Sequence, residues 1–598
     1  MTIHKITRHT FLKQSLHISA MAMAFPTNVW AIAEGYTPKN SMPKDDLFNR
    51  LVNANDDQVT QLLGSKNEEL NRYSRRLGYE FGILSASYGC SLSKYHKSPE
   101  VVASLGKIIR FLLKVQRPDG TLNAGNQESP PDTAFLIELL CAGTSVLMEN
   151  KAEALHDVKS DVKHFILKAG DALTIGGVHT PNHRWVICSA LARTHALYPN
   201  EKYVNRIHEW LGEGIFIDND GHYLERSRNY SEVVNRALIT IARLLNMPSL
   251  LEPVRRNLTM TYYYMEPNGD LVTNDSRRQD QYAFKSIVAY YLHYRYLAIR
   301  DNNSEFAGIA KLIEHLEGFE EDIVNQSLVD FMEVPLLQKA LPESAPPPVN
   351  FEKFFTTTHL ARIRRGDTTT TIFGGVDWPL IIASGRSTSP NFFSFRKGEA
   401  ILKYMRLSSR FFSMGYFRSE GLKKDGNKYV LYKKLEVPYY QPLPQDKRKA
   451  DGDYTLSPSI DDRFWNKMAF EDRPTSNVKS LETTVTVEEN KGTYEVIFQV
   501  TGQDDVAVTI ELCFKEGGVL SGVRASEDGE DNYFLEKGMG QYQFGEDAIH
   551  FGPGTLAHTY IRGLEGEKYS SHFGSLRTEG IHIYLTGITP FEHKLTFH

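Results

Sequence analysis

Two short segments of this 598-residue chain hold the side chains best suited to moving a proton beside an anion. Pro181-Asn182-His183-Arg184-Trp185 sets an amide, an imidazole and a guanidinium in consecutive positions. Asn is a favoured helix N-cap, where unpaired N–H groups need an acceptor, so capping and chemistry are both readings of Asn182. Polar groups at a helix start also make an anion receptor. The second segment is Glu225-Arg226-Ser227-Arg228-Asn229-Tyr230. If it is extended, alternate residues share a face, and Arg226, Arg228 and Tyr230 point the same way. A free phenol has a pKa of about 10, and neighbouring cations favour the phenolate. The plainer reading is a solvated loop with Tyr230 packing as the first helical residue. It weakens because Arg277-Arg278-Gln279 takes the equivalent place further along. A cationic pocket on a chain of net charge −5 implies an anionic ligand.

Carboxylates offer a different chemistry. Glu128, Asp132, Asp275 and Asp280 lie in comparable loops, and a glycosidase needs one carboxyl as acid and another as base or nucleophile. Asp132 and Asp280 also suit helix caps. No H-E-x-x-H, G-x-S-x-G or phosphate-binding glycine loop occurs, and no His/Asp spacing points to a metal or other cofactor.

The elements that position these residues repeat. Asp119-Gly120-Thr121-Leu122, Asp220-Gly221-His222-Tyr223 and Asn268-Gly269-Asp270-Leu271 each follow a helical pattern, and a short polar segment and a new apolar run come after each. Pro181 opens a helix at the phase of a further copy. Helix starts recur about every 50 residues, the scale of stacked or closed helical-hairpin architectures. Val101, Val102, Leu105, Ile108, Ile109, Leu112 and Leu113 form a one-sided stripe, as do Val233, Val234, Leu238, Ile241 and Leu245. Roughly ten to twelve such segments alternate with these loops, and an α/α toroid over 34–337 accounts for both count and period, with the equivalent loops on one face. Residues 338–355, rich in proline at 342–348, read as a linker. Beyond it Thr356-Thr357-Thr358, Thr368 to Ile372, Tyr429 to Val437, Thr483 to Val487, Tyr494 to Val500 and Ala507 to Phe514 are β-branched or aromatic runs. They predict an antiparallel β-sandwich over 356–598. Arg406, Arg410, Tyr416 and Arg418 in its first long segment are candidates to reach a cleft, or ordinary strand residues.

Composition excludes other classes. Charge and the absence of basic runs give no case for nucleic acid. Lys5, Arg8 and Lys13 precede an apolar stretch from Ser15 to Phe25, and Ala31-Ile32-Ala33 offers a cleavage site. Residues 1–33 therefore read as a signal peptide, and the mature chain as a soluble exported, periplasmic protein. No other apolar run looks long enough to cross a membrane. Cys90, Cys141, Cys188 and Cys513 show no C-x-x-C pairing and read as core residues. Oligomeric state is not legible.

A helical toroid, a β-sandwich, an Asn-His pair and a Tyr following arginines together resemble the toroid-type polysaccharide lyases, among them the heparinase II/III-like, chondroitin AC and alginate lyase families. The resemblance implies β-elimination at a uronate-containing glycan. It implies Asn182 and His183 as neutralisers of the uronate carboxylate and Tyr230 as base or acid. Arg184, Arg226, Arg228, Arg277, Arg278 and Trp185 are then substrate-binding. Their cationic excess departs from a plain endo-lyase, and the rhamnose–glucuronate lyases acting on arabinogalactan (family twenty-seven) look most similar. Two alternatives stand beside this reading: a toroid glycoside hydrolase acting on uronosides, and a non-catalytic exported glycan-binding protein.

Overall fold

Three turns of one geometry set the period of the helical half. In the computed structural model, Gly120, Gly221 and Gly269 all take left-handed backbone conformations, with φ of 96°, 102° and 92°. Each glycine N–H donates to the carbonyl of Arg117, Asp218 or Glu266, and that residue's own N–H donates to the carbonyl of Thr121, His222 or Asp270. A Cβ on Gly120 would fall 2.2 Å from the Lys168 carbonyl oxygen, and one on Gly221 2.7 Å from that of Arg256. Only glycine meets both the positive φ and the close helix. The structure describes residues 46–64, 74–282, 285–375, 389–412, 415–457, 468–527, 531–561 and 579–598, so the export segment expected at 1–33 lies outside the described residues.

The helices are α1 (Asp46–Gly64), α2 (Ser74–Gly89), α3 (Pro99–Val115), α4 (Pro130–Met148), α5 (His156–Ile175), α6 (Pro181–Leu197), α7 (Glu201–Leu211), α8 (Arg228–Leu244), α9 (Leu251–Tyr263), α10 (Tyr291–Asp301), α11 (Ser304–Ile313) and α12 (Leu328–Glu333). Helices α2, α4, α6 and α8 pack each on the next, α12 returns to α2 and α4, and α3, α5, α7 and α9 lie outside them. This is an α/α toroid. Helix α4 is apolar on nearly every face because it has neighbours all round. Its 19 residues are long and apolar enough to cross a membrane, which corrects the expectation that no such run follows the N-terminus. Its burial inside the ring explains that apolarity.

The second half is a sandwich. One sheet runs Arg524–Ala525, Asn532–Phe534, Ile581–Ile588, Ala507–Phe514, Ala400–Ser409, Phe393–Lys397, Thr368–Phe373, Leu360–Arg365, Asn350–Phe355. The other runs Leu422–Asp425, Lys428–Tyr440, Thr475–Asn490, Thr493–Gly502, Phe591–Phe597, Asp547–Gly552, Gly540–Phe544, Val519–Ser521. Inward residues such as Phe393, Leu407, Ile510, Val485 and Phe498 close the core between them. Pairing between these strands is antiparallel except between Asn532–Phe534 and Ile581–Ile588, which run parallel, and an isolated Leu556–Thr586 bridge is parallel too.

Two details differ from the sequence reading. Strand Asn350–Phe355 lies within the stretch expected to be linker, because its phenylalanines dock on the toroid. Phe351 meets the Tyr263 ring at 5.0 Å, and Phe355 meets Tyr264 at 4.7 Å. Thr356, Thr357 and Thr358 form a turn rather than a strand. The Thr357 N–H and hydroxyl donate to Asp220 at 2.7 and 2.6 Å. Arg362 donates to Glu266 at 2.7 Å and Arg396 to Asn268 at 2.6 Å. The second and third repeat turns are therefore the docking points of the sheet.

Candidate functional site

The N-terminus of α6 is held from outside its own repeat. Thr180 occupies the N-cap without a side-chain bond to a helix N–H, and Pro181 follows as the first helical residue. Glu225, from the loop before α8, accepts from both the Asn182 N–H (3.0 Å) and the Asn182 side-chain amide (2.8 Å). That amide also donates to the Thr180 hydroxyl at 3.1 Å. Asn182 is fully buried, with its carbonyl oxygen unpartnered. It is thus neither the N-cap nor a donor open to a ligand, as its sequence position had led us to expect; both amide hydrogens face protein acceptors.

The other Glu225 oxygen accepts from Arg278, and the Arg278 guanidinium lies across the Tyr230 ring at 4.3 Å from its centroid. Burial pushes the Glu225 carboxyl upward in pKa, opposed by the bonds from Asn182 and Arg278. Asn182, Glu225, Arg278 and Tyr230 form one chain of contacts joining three loops. Tyr230 is half-buried in the first turn of α8, and its N–H donates to the N-cap Ser227 hydroxyl at 3.0 Å.

His183 stands beside this chain. Its ring meets Phe135 edge-on at 6.3 Å, and the Arg75 guanidinium covers Phe135 at 4.2 Å while pairing with Asp132. Burial pulls His183 down to about 4; Asp132 opposes this, and Arg278, His179 and Arg75 reinforce it. The imidazole is therefore neutral at physiological pH, with one nitrogen to donate and one to accept. Asp132 is held below the usual carboxylate range: its burial is outweighed by bonds from Ser129 and Asn126 and by Arg75.

Several expected site residues are placed elsewhere. The 225–230 segment is not extended: Arg226 has φ of 51° and Arg228 is the first residue of α8. Arg228 is a correction, since its side chain is fully buried against Asp275 at 2.5 Å and stacked 4.0 Å from the Tyr264 ring centroid. Arg226 turns to the sheet, donating to the Thr357 carbonyl at 3.2 Å, and Arg277 donates to the Leu224 carbonyl at 2.8 Å. Arg184 pairs with Glu213 at 2.6 Å and covers the buried Trp185, so both belong to the ring's packing rather than to this cluster. Among the β-domain candidates, Arg406 is buried, bonded to Asn391 and stacked on Tyr404. Arg410 covers the exposed Tyr560 ring at 4.0 Å. Tyr416 is buried beneath Arg406, and Arg418 is half-buried, donating to the Tyr416 carbonyl.

The acidic candidates are engaged too. Asp280 accepts from the Ser227 hydroxyl and from the Arg228 and Asn229 N–H groups, so it caps α8 from the next repeat. Asp275 is buried with Arg228, Tyr264 and His222. Glu128 is exposed and pairs with Arg117 at 3.0 Å. Sequence reasoning missed Glu225, Arg75 and Phe135. A lone acid ahead of the arginines in 225–230 was the one signal for Glu225; Arg75 has no counterpart in the repeat. Among the described residues no cluster of His, Cys, Asp and Glu is arranged to hold a metal.

No protein-family model matches this sequence, and no curated protein matches it. Solved structures do. Heparinase III superposes with a TM-score of 0.57 at 13% identity, over 94% of this chain and 87% of that one. The fold is that of the toroid-type polysaccharide lyases. Chondroitin AC lyase of Streptomyces coelicolor A3 gives 0.55 at 12% identity, over 94% of this chain and 80% of that one. A Paenibacillus xanthan lyase gives 0.54 at 11% identity, over 93% of this chain and 57% of that one.

Proposed function

We propose that this chain is a polysaccharide lyase that breaks a glycosidic bond at a uronic acid by β-elimination, and that residues 1–33 direct it to the periplasm. The observation that carries the reading is the Tyr230 phenol held against Arg278 beside a neutral His183, at the helix-start rim of a toroid of the lyase fold. Removing the C5 proton of a uronate places charge on its carboxylate, and fixed donors aimed there lower the barrier. Neutral His183 donates to that carboxylate, and the Arg278 and Arg75 cations bound the same space. Tyr230 carries the proton between C5 and the departing oxygen, a transfer worth about 10²–10⁴ in rate. Asn182 acts through Glu225 and is a positioning residue.

The rhamnose-capped glucuronate implied by the resemblance rested on a cationic excess. That excess shrinks once Arg228 and Arg184 are paired with Asp275 and Glu213, so the uronate is proposed as a class. The test is a screen of uronate-containing glycans for the ultraviolet absorbance of a C4–C5 double bond. Solvent oxygen-18 entering the new sugar end would overturn elimination in favour of hydrolysis.

A further inference from the structure

Beneath the Tyr230–His183 rim, a cavity of about 440 Å³ runs along the inside of the ring. Arg75 and Phe135, which border the candidate site, also line it, so the two spaces share a wall. Its volume is in the range of small-ligand sites. Deeper in, the cations are already matched: Arg193 and Arg243 both bind Glu333, and Arg236 lies 3.5 Å from Glu232. Glu138 and Asp330 add further carboxyls to the same wall, which disfavours a second anion. Tyr79 lines this space and also the neighbouring one beside Gln58 and Arg76.

Resting on the lyase reading above, we infer that this cavity receives an uncharged glycosyl residue at the end of the substrate chain, next to the uronate at the rim. Cleavage then proceeds from a chain end. Matched charges and hydroxyl-accepting carboxylates suit a neutral sugar, and the Tyr79 ring suits its C–H face.

The experiment sizes products over time from a polymer in which uronate alternates with neutral sugar, using the full chain and two variants. Gly82→Leu projects into the cavity, since a Cβ there meets nothing nearer than the Val329 methyls at 3.6 Å; Tyr79→Ala removes the ring. The wild type is expected to release one small product from the first turnovers. Each variant, with its melting temperature retained, is expected to lose about tenfold or more in kcat/KM. A ladder of mid-chain fragments at early times, or variants with wild-type kcat/KM, would overturn the inference. A second arm titrates glucose, galactose, rhamnose and N-acetylglucosamine against wild type and Gly82→Leu by calorimetry. Binding lost in Gly82→Leu supports the cavity even if no double bond forms with any glycan, in which case only the lyase reading fails. Heat from none of the four sugars overturns the inference even where elimination is seen.

Discussion

Arg278 lies flat across the Tyr230 ring while its guanidinium also binds the buried Glu225 carboxylate. Planar stacking and a carboxylate partner together fix the guanidinium plane, which a lysine ammonium cannot reproduce. Arg278→Lys is expected to lower kcat by about tenfold or more while keeping most of the melting temperature. Lysine giving wild-type kcat would show that only the charge matters.

Tyr230→Phe keeps the ring under Arg278 and removes only the hydroxyl. If the phenol carries the proton, kcat falls by about a hundredfold or more with KM little changed. Absorbance assays on the best glycan decide this. Near wild-type kcat would move the proton to His183.

Glu225→Ala removes a buried carboxylate that binds both Arg278 and the α6 N-terminus, so a loss of about 3–5 kcal/mol is expected from denaturant unfolding. Asn182→Ala removes one donor to the same carboxylate and should cost about 1–3 kcal/mol. If Asn182 positions the site through Glu225, kcat falls with KM nearly constant. A rise in KM alone would instead return Asn182 to direct contact with substrate.

His183 is held down at about 4, below the value near 6.5 of an unfolded histidine. A depressed folded pKa means the unfolded chain binds the extra proton first. Stability from this group is therefore complete above about 6.5 and is lost as pH falls toward 4. The acidic limb of kcat/KM should likewise sit near 4. His183→Gln should flatten that limb, and an unchanged acidic limb in the variant would assign it to another group.

The hydrolase alternative predicts that Asp280→Asn abolishes turnover. With Asp280 capping α8 through the Arg228 and Asn229 N–H groups, we expect instead a stability loss of about 0.5–2 kcal/mol and a smaller fall in kcat than Tyr230→Phe causes. The reverse ranking of the two variants would favour a carboxylate mechanism.

The architecture was legible because its signals are local. The turn glycines recur with the helix period, and alternating β-branched runs begin where the helical stripes stop. The helix-start placement of the candidates was legible for the same reason: Asn182, His183 and Tyr230 all lie in the first turns of α6 and α8. Partner choice was not. Arg228 and Arg278 have the same side chain and similar local surroundings, yet one is enclosed by Asp275 and Tyr264 and the other borders the candidate site. Which carboxylate meets which guanidinium is decided between loops about 50 residues apart, a scale at which the repeat period is visible but side-chain direction is not. The extended reading of 225–230 failed at Arg226, whose left-handed backbone breaks the alternation, and from Arg228 on, where α8 begins.

The start of α6 is held by Glu225, and the start of α8 by Asp280, each from the loop that opens the next repeat. These fastenings run in one direction, so a helical pair cut from the array would lose the carboxylate that closes its own end. Such a ring lacks the modularity of open repeat arrays, in which units contribute to stability nearly independently. Amide exchange along α6 and α8 should then report a shared opening free energy rather than a gradient. Gain or loss of one hairpin during descent would require a compensating acid in the neighbouring loop.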